Sequence, residues 1–140
     1  MSLPLDEKFV VQAEQKLGAR LPADYRAAMC GRNGGTVFHL NEEWRLHPIA
    51  DTSDRKRLKR TFNDVVLETK AMAKWTGWPE HAVAIASNGA GDALVFLRSG
   101  RSCETAVYLW NHETGALTLL VQSFAELFSG SRSVVPNSGR

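Results

Sequence analysis

An α+β domain, with a mainly antiparallel β-sheet flanked by helices, is the fold this sequence predicts. Three observations point to it. The periodicity runs helix, helix, strand, strand, helix, a cluster of strands and a terminal helix, with no internal repeat. Between Ile85 and Glu113, short runs rich in Val, Ile, Leu and Phe are separated by tight Gly-containing turns. The composition, 44% hydrophobic and 23% charged over 140 residues, suits one globular domain burying roughly two-thirds of its unfolded surface. The expected division is a single domain over 1–128 and a flexible Ser-, Gly- and Arg-rich tail over 129–140.

The first helix is expected over Leu5 to Leu17. Asp6 caps it, Leu5 and Val10 can form a hydrophobic staple, Phe9, Val10, Ala13 and Leu17 line one face, and Gly18 stops it. A second helix starts with Pro22 at its first position and runs to about Cys30, with Gly31 past its end. Asn33-Gly34-Gly35 is a turn into a strand over Thr36 to Leu40, followed by a second strand, Trp44 to His47, that Pro48 ends. Ala50 to Arg60 reads as an exposed connection. Phe62, Val65, Val66, Thr69, Met72 and Ala73 mark a third helix, closed by Trp75-Thr76-Gly77-Trp78-Pro79. Three central strands follow, then a last strand, Leu117 to Val121, and a short helix, Phe124 to Phe128, with Ser123 and Glu126 spaced as a capping box.

The charge is uneven. Arg55-Lys56-Arg57-Leu58-Lys59-Arg60 holds five of the 17 basic residues; without it, acidic residues outnumber basic ones despite the net +2. Cys30 and Cys103 give no disulfide framework and fit a reducing compartment. No apolar run approaches the ~18–20 residues that span a bilayer, and the N-terminal segment lacks the pattern of a signal peptide. The expected location is the cytoplasm, with no membrane contact.

Polar residues Asn88, Asp92, Asn111, His112 and Glu113 fall at strand ends, where side chains stay within reach of solvent. Such an arrangement reads as a recognition surface rather than an active site. The candidate partner-binding residues are Trp44, Asn88, Asp92, Trp110, His112 and Glu113. Asp92 reads first as a cap on its own turn and second as a partner contact. Core packing with a bonded polar tip is the first reading of all four tryptophans, Trp44 and Trp110 included, and the second reading makes these two exposed anchors. Trp75 and Trp78 flank Gly77 and suit closure of the third helix onto the sheet.

No catalytic residue is assigned: there is no nucleophile elbow and no local Cys/His pairing. No metal is expected, since His39, His47, His81 and His112 lack ligand spacing, and His112 and Glu113 are adjacent residues on opposite faces of a strand. No cofactor is expected either. Asn88-Gly89-Ala90-Gly91 is too short for a phosphate loop and joins two strands, where a phosphate site wants a helix N-terminus. The basic run has no interleaved aromatics and no nucleic-acid-binding module around it, so it reads as a solvated segment. Exposed edge strands leave room for a homodimer.

Several segments together resemble the SUKH superfamily, which includes the yeast cell-wall-assembly regulator and many bacterial immunity proteins. They are Ala13 to Gly18 running into Leu21 to Arg26, then Asn33-Gly34-Gly35, Trp44 to Ile49, Asn88 to Asp92, Val107 to Glu113, and Ser123 to Glu126. They span Phe9 to Phe128 in the family's order. The resemblance implies a helix-flanked sheet without catalytic activity, and a protein partner: for bacterial members a cognate toxin domain, often a nuclease, that the protein neutralises. A regulatory scaffold or ligand-binding module of the cell-wall-regulator type is the alternative it implies. An acidic surface would complement a basic nuclease cleft, and Arg55 to Arg60 departs from that pattern.

Overall fold

The computed structural model describes residues 3–39 and 41–128. Helix α1 (Glu7–Leu17) begins where the Asp6 carboxylate accepts from the Lys8 N–H at 2.9 Å, and ends at Gly18, whose φ of 75° is left-handed. Helix α2 (Ala23–Gly31) is displaced by one residue from expectation. Pro22 is the cap itself, and Gly31 is still helical because the Arg32 N–H bonds back to the Ala28 carbonyl. The two helices are clasped through the nearly buried Glu14. Its Oε2 accepts from the Leu21 N–H at 2.8 Å and lies 3.2 Å from Arg26 Nε, while Arg26 also reaches Glu7 at 3.0 Å.

Strands β1 (Gly35–His39) and β2 (Glu42–Leu46) form an antiparallel hairpin. Leu40, expected in the first of them, lies outside the described residues. The second strand starts two residues earlier than expected and stops before His47. Asn33 fixes the exit from this hairpin: its amide donates to the Ile49 carbonyl and accepts from the Ile49 N–H, each at 2.8 Å.

The expected connection over Ala50 to Arg60 contains a helix, α3 (Arg55–Arg60). Asp54 caps it by accepting from the Arg57 N–H at 2.7 Å, and none of its side chains is buried. It escaped a periodicity search because it has no apolar face. The next helix, α4 (Val65–Met72), starts at its Asp64 cap, so Phe62 is outside it and 73% exposed.

The remaining strands are β3 (Ala82–Ser87), β4 (Ala93–Ser99), β5 (Ser102–Cys103), β6 (Val107–Trp110) and β7 (Leu117–Val121). They complete a seven-stranded antiparallel sheet of order β1-β2-β3-β4-β6-β7, with β5 paired to the end of β4. The fold is thus the predicted α+β class. The sheet has apolar cover on both faces. Val83, Ile85, Leu94, Phe96 and Val107 join Phe9, Val10, Tyr25, Met29, Phe124 and Leu127 in the larger core. Ala82, Ala93, Val95 and Trp110 form the smaller one, with Met72 and Trp78 packed against it.

A register shift between Ala84 and Ala86 separates the two halves of β3. This bulge lets the consecutive residues Ile85 and Ala86 both enter the larger core. At the same place the Thr69 hydroxyl of α4 accepts from the Ala84 N–H at 2.9 Å. Small alanines on that face allow α4 to lie close to the sheet.

Residues 125–128 form the closing helical turn. The expected Ser123–Glu126 capping box is replaced by a different contact: Glu126 reaches past Ser123 and accepts from the Gln122 N–H at 3.1 Å. The other cap comes from far away: Asp24 of α2 accepts from the Ala125 N–H, also at 3.1 Å. The expected tail over 129–140 lies outside the described residues. Both cysteines are free thiols.

Candidate functional site

The β3–β4 turn and the β6–β7 turn meet through Asp92 and His112. Asp92 Oδ1 accepts from the His112 backbone N–H at 3.0 Å and from its ring Nδ1 at 2.7 Å. Asn88 completes the first turn from within: its Oδ1 accepts from the N–H groups of Ala90 and Asp92, each at 3.0 Å. Its amide nitrogen donates to Asp92 Oδ2 at 3.3 Å and to Glu42 Oε2 of β2 at 2.6 Å. Partial burial alone would raise the Asp92 pKa. The hydrogen bonds from His112 and Asn88 outweigh it and hold the carboxyl below its usual range. Gly91, at φ 105°, packs on the imidazole so closely that a Cβ there would sit 3.2 Å from the ring.

The expectation that Asp92 caps its own turn is corrected: Asn88 caps that turn, and the Asp92 carboxylate caps the β6–β7 turn through the His112 N–H. Asn111 does the same for its own turn, accepting from the N–H groups of Glu113 and Thr114 at 2.9 and 3.1 Å. The Glu113 side chain stands in solvent. Asn88, Asp92 and His112 form one cluster with Glu42, and Glu113 lies at its edge.

The two tryptophans proposed as exposed anchors are not on the surface. Trp44 is 1% exposed within the larger core, and Trp110 is fully buried in the smaller one with its indole N–H donating to the Gly77 carbonyl at 3.0 Å. Both are corrected to core residues. Trp44 pairs with Val37 of β1, and Trp110 with Ala93 and Leu117, and neither side chain reaches the surface.

The exposed aromatic beside the cluster is Trp75, at 47%. Its ring meets His112 edge-on at 6.2 Å and Trp110 at 6.3 Å, while Trp78 meets Trp110 at 4.9 Å. Gly77 and Gly115, both at positive φ, pack backbone to backbone and bring the loop after α4 onto the β6–β7 turn. In the sheet, Leu117 is paired with Trp110 and Leu119 with Tyr108. Cross-strand partners share a face, so both exposed leucines of the edge strand β7 lie on the side that Trp75 and Trp78 flank. Trp75, Leu117 and Leu119 were missed in the sequence reading; an uncharged stretch from Thr114 to Gln122 at the end of the sheet was the available signal.

The chemistry at hand is that of contact. Among the described residues no group of three or more His, Cys, Asp or Glu side chains could hold a metal ion. Among the described residues no nucleophile is hydrogen-bonded to the Asp92–His112 pair, and the carboxylate holds the β6–β7 turn in place. No helix among the described residues is long and apolar enough to cross a membrane.

The helix-backed antiparallel sheet, with two turns joined by the Asp92–His112 pair beside an exposed apolar strip, is an α+β domain. The sequence model of the SMI1 / KNR4 family (SUKH-1) matches residues 4–130, and the chain belongs to that family. Its members are associated with immunity-protein and cell-wall-regulator-like roles, are generally non-enzymatic and typically bind protein partners. No curated protein matches the chain.

Proposed function

We propose that this chain is a non-catalytic, cytoplasmic immunity protein that neutralises a cognate toxin domain by binding it. The contact surface is Trp75 with Leu117 and Leu119, rimmed by Glu113, His112 and Asp92. The observation that carries the reading is the exposure of Trp75 and two edge-strand leucines beside turns that the Asp92–His112 pair makes rigid. Interface hot spots favour tryptophan at a patch centre with a polar rim, and a rigid rim loses little entropy on binding. SUKH-1 membership supports a protein partner.

The test is to co-express the product of the neighbouring open reading frame, purify the pair by size exclusion and score growth rescue. A stable complex with rescue is expected, and Trp75→Ala should weaken binding by at least about tenfold, or 1.4 kcal/mol, with the fold intact. Leu119→Arg should do the same by placing a charge on the strip. If both variants bind as the parent does, this surface is not the contact. A complex without rescue would favour the regulatory-scaffold role of the same family.

A further inference from the structure

Helix α3 is hard to account for by packing. It buries no side chain, and its one apolar residue, Leu58, is 48% exposed. Arg55 and Lys59, four positions apart, and Lys56 and Lys59, three apart, are like-charge pairs that work against a helix. Polar ties on one side hold it to the body. Arg57 Nη1 donates to the Pro4 carbonyl at 3.0 Å and lies 3.3 Å from the buried Asp51 carboxylate. The Thr61 hydroxyl accepts from the Asp51 N–H at 2.9 Å. Arg57 is thus an ion-paired anchor, and its position fixes which side of the helix faces the protein.

A helix turns once in about 3.6 residues, so Arg55 and Lys59 project opposite Arg57, with Lys56 on one flank and Leu58 on the other. All four are exposed, and Phe62, just past the Thr61 cap, is 73% exposed. The side chains of Arg55, Lys56 and Lys59 have no ion pair or hydrogen bond among the described residues. No acidic residue occurs from Arg55 to Asn63. The outward face therefore offers three free cations beside two uncovered apolar side chains. A basic run alone reads as a solvated segment; the exposure of Leu58 and Phe62 is what the fold adds to it.

We propose that this face of α3 docks on an anionic lipid surface, with Arg55, Lys56 and Lys59 against the headgroups and Leu58 and Phe62 entering the boundary with the acyl chains. The charge is complementary, and long basic side chains reach headgroups while their neighbours go deeper. Lysine serves such a surface as well as arginine does, whereas the centres of protein interfaces are depleted of lysine. A lipid surface also needs no fitted cavity. The cleft of about 380 Å³ beside α3 is bordered by Arg57, Arg60 and Thr61 rather than by these side chains. Three cations together raise the partition roughly a hundredfold, which gives a reversible, salt-sensitive attachment. No residue of the Trp75 surface takes part, so the two contacts stand or fall independently.

The test is co-sedimentation of the full chain with vesicles of phosphatidylcholine alone and of phosphatidylcholine mixed equally with phosphatidylserine. The chain is expected to pellet with the anionic vesicles, to stay in solution with the neutral ones, and to be released by added salt. The Arg55→Ala/Lys59→Ala variant should lower the partition at least about tenfold, since each cation at such a surface is worth roughly fivefold. Leu58→Ser/Phe62→Ser keeps the charge and should lower it at least about threefold. Arg20→Ala/Arg101→Ala removes as much charge elsewhere and should leave it within about twofold. All six side chains are exposed, so each variant should melt as the parent does. The proposal is overturned if the chain does not pellet with anionic vesicles, or if the Arg20/Arg101 variant loses as much partition as the Arg55/Lys59 variant. Undiminished binding by the Leu58/Phe62 variant would also overturn it, in favour of adsorption by charge alone. Binding of an oligonucleotide or an acidic protein through this face, without vesicle binding, would overturn it in favour of that partner.

Discussion

Tyr25 is fully buried between Phe96 and Phe124, meeting their rings edge-on at 5.1 and 4.9 Å. Its hydroxyl has no hydrogen-bond partner among the described residues, and burial pushes the phenol well above its usual pKa. A buried hydroxyl without a partner costs free energy, so Tyr25→Phe should leave stability unchanged or raise it by about 1–2 kcal/mol in urea titrations. A loss above about 1 kcal/mol would mean that the hydroxyl is bonded in solution. Single residues were also where the sequence misled most. Trp44, Trp75, Trp78 and Trp110 are indistinguishable by composition, and what buries Trp110 and exposes Trp75 is cross-strand register and the Gly77–Gly115 contact. Neither is a local property. The turn at Asn88 was legible because a turn's needs are local, whereas the role of Asp92 was not, since its contact with His112 joins residues 20 positions apart.

At the level of elements, the two helices α1 and α4 follow their caps. Asp6, Gly18 and Asp64 all act as short-range chemistry dictates. Helix α3 shows the opposite case, a helix without an amphipathic signature that its Asp54 cap starts. The hairpin depends on a single amide. Asn33 satisfies both backbone groups of Ile49 in a buried setting, acting as one rung of a strand pair. Asn33→Ala should therefore destabilise the protein by roughly 2–4 kcal/mol, since two buried groups lose their partners. Chemical denaturation would measure it, and a change below about 1 kcal/mol would show that Ile49 finds substitutes.

For the whole molecule, acid stability should be governed by His47. It is buried, its Nδ1 has no hydrogen-bond partner among the described residues, and its backbone N–H donates to the Ile85 carbonyl at 2.9 Å. Burial, then the Arg45 cation, lower its pKa to about 4, with Asp64 opposing them. The unfolded chain takes up a proton near pH 6.5 that the folded protein refuses until about pH 4, so stability falls as the pH drops through that window. The loss should be on the order of 2–4 kcal/mol, levelling off below it. Asp51 and Asp92, whose pKa values are lowered, contribute stability that is lost only at more acidic pH, below the ordinary Asp value of 3.8. His47→Leu should flatten the slope between pH 6.5 and 4; an unchanged slope would assign it to another group.

The cap that Asp24 places on Ala125 has a consequence for how the chain is made. Phe124 and Leu127 fill the same core as Phe9 and Tyr25, so the first helices cannot bury their apolar faces fully until residue 127 has been synthesised. During translation the helical hairpin would wait with part of its oily side open. Contacts this distant along the chain close late and slowly, and a growing polypeptide in that state is a natural client for ribosome-associated chaperones.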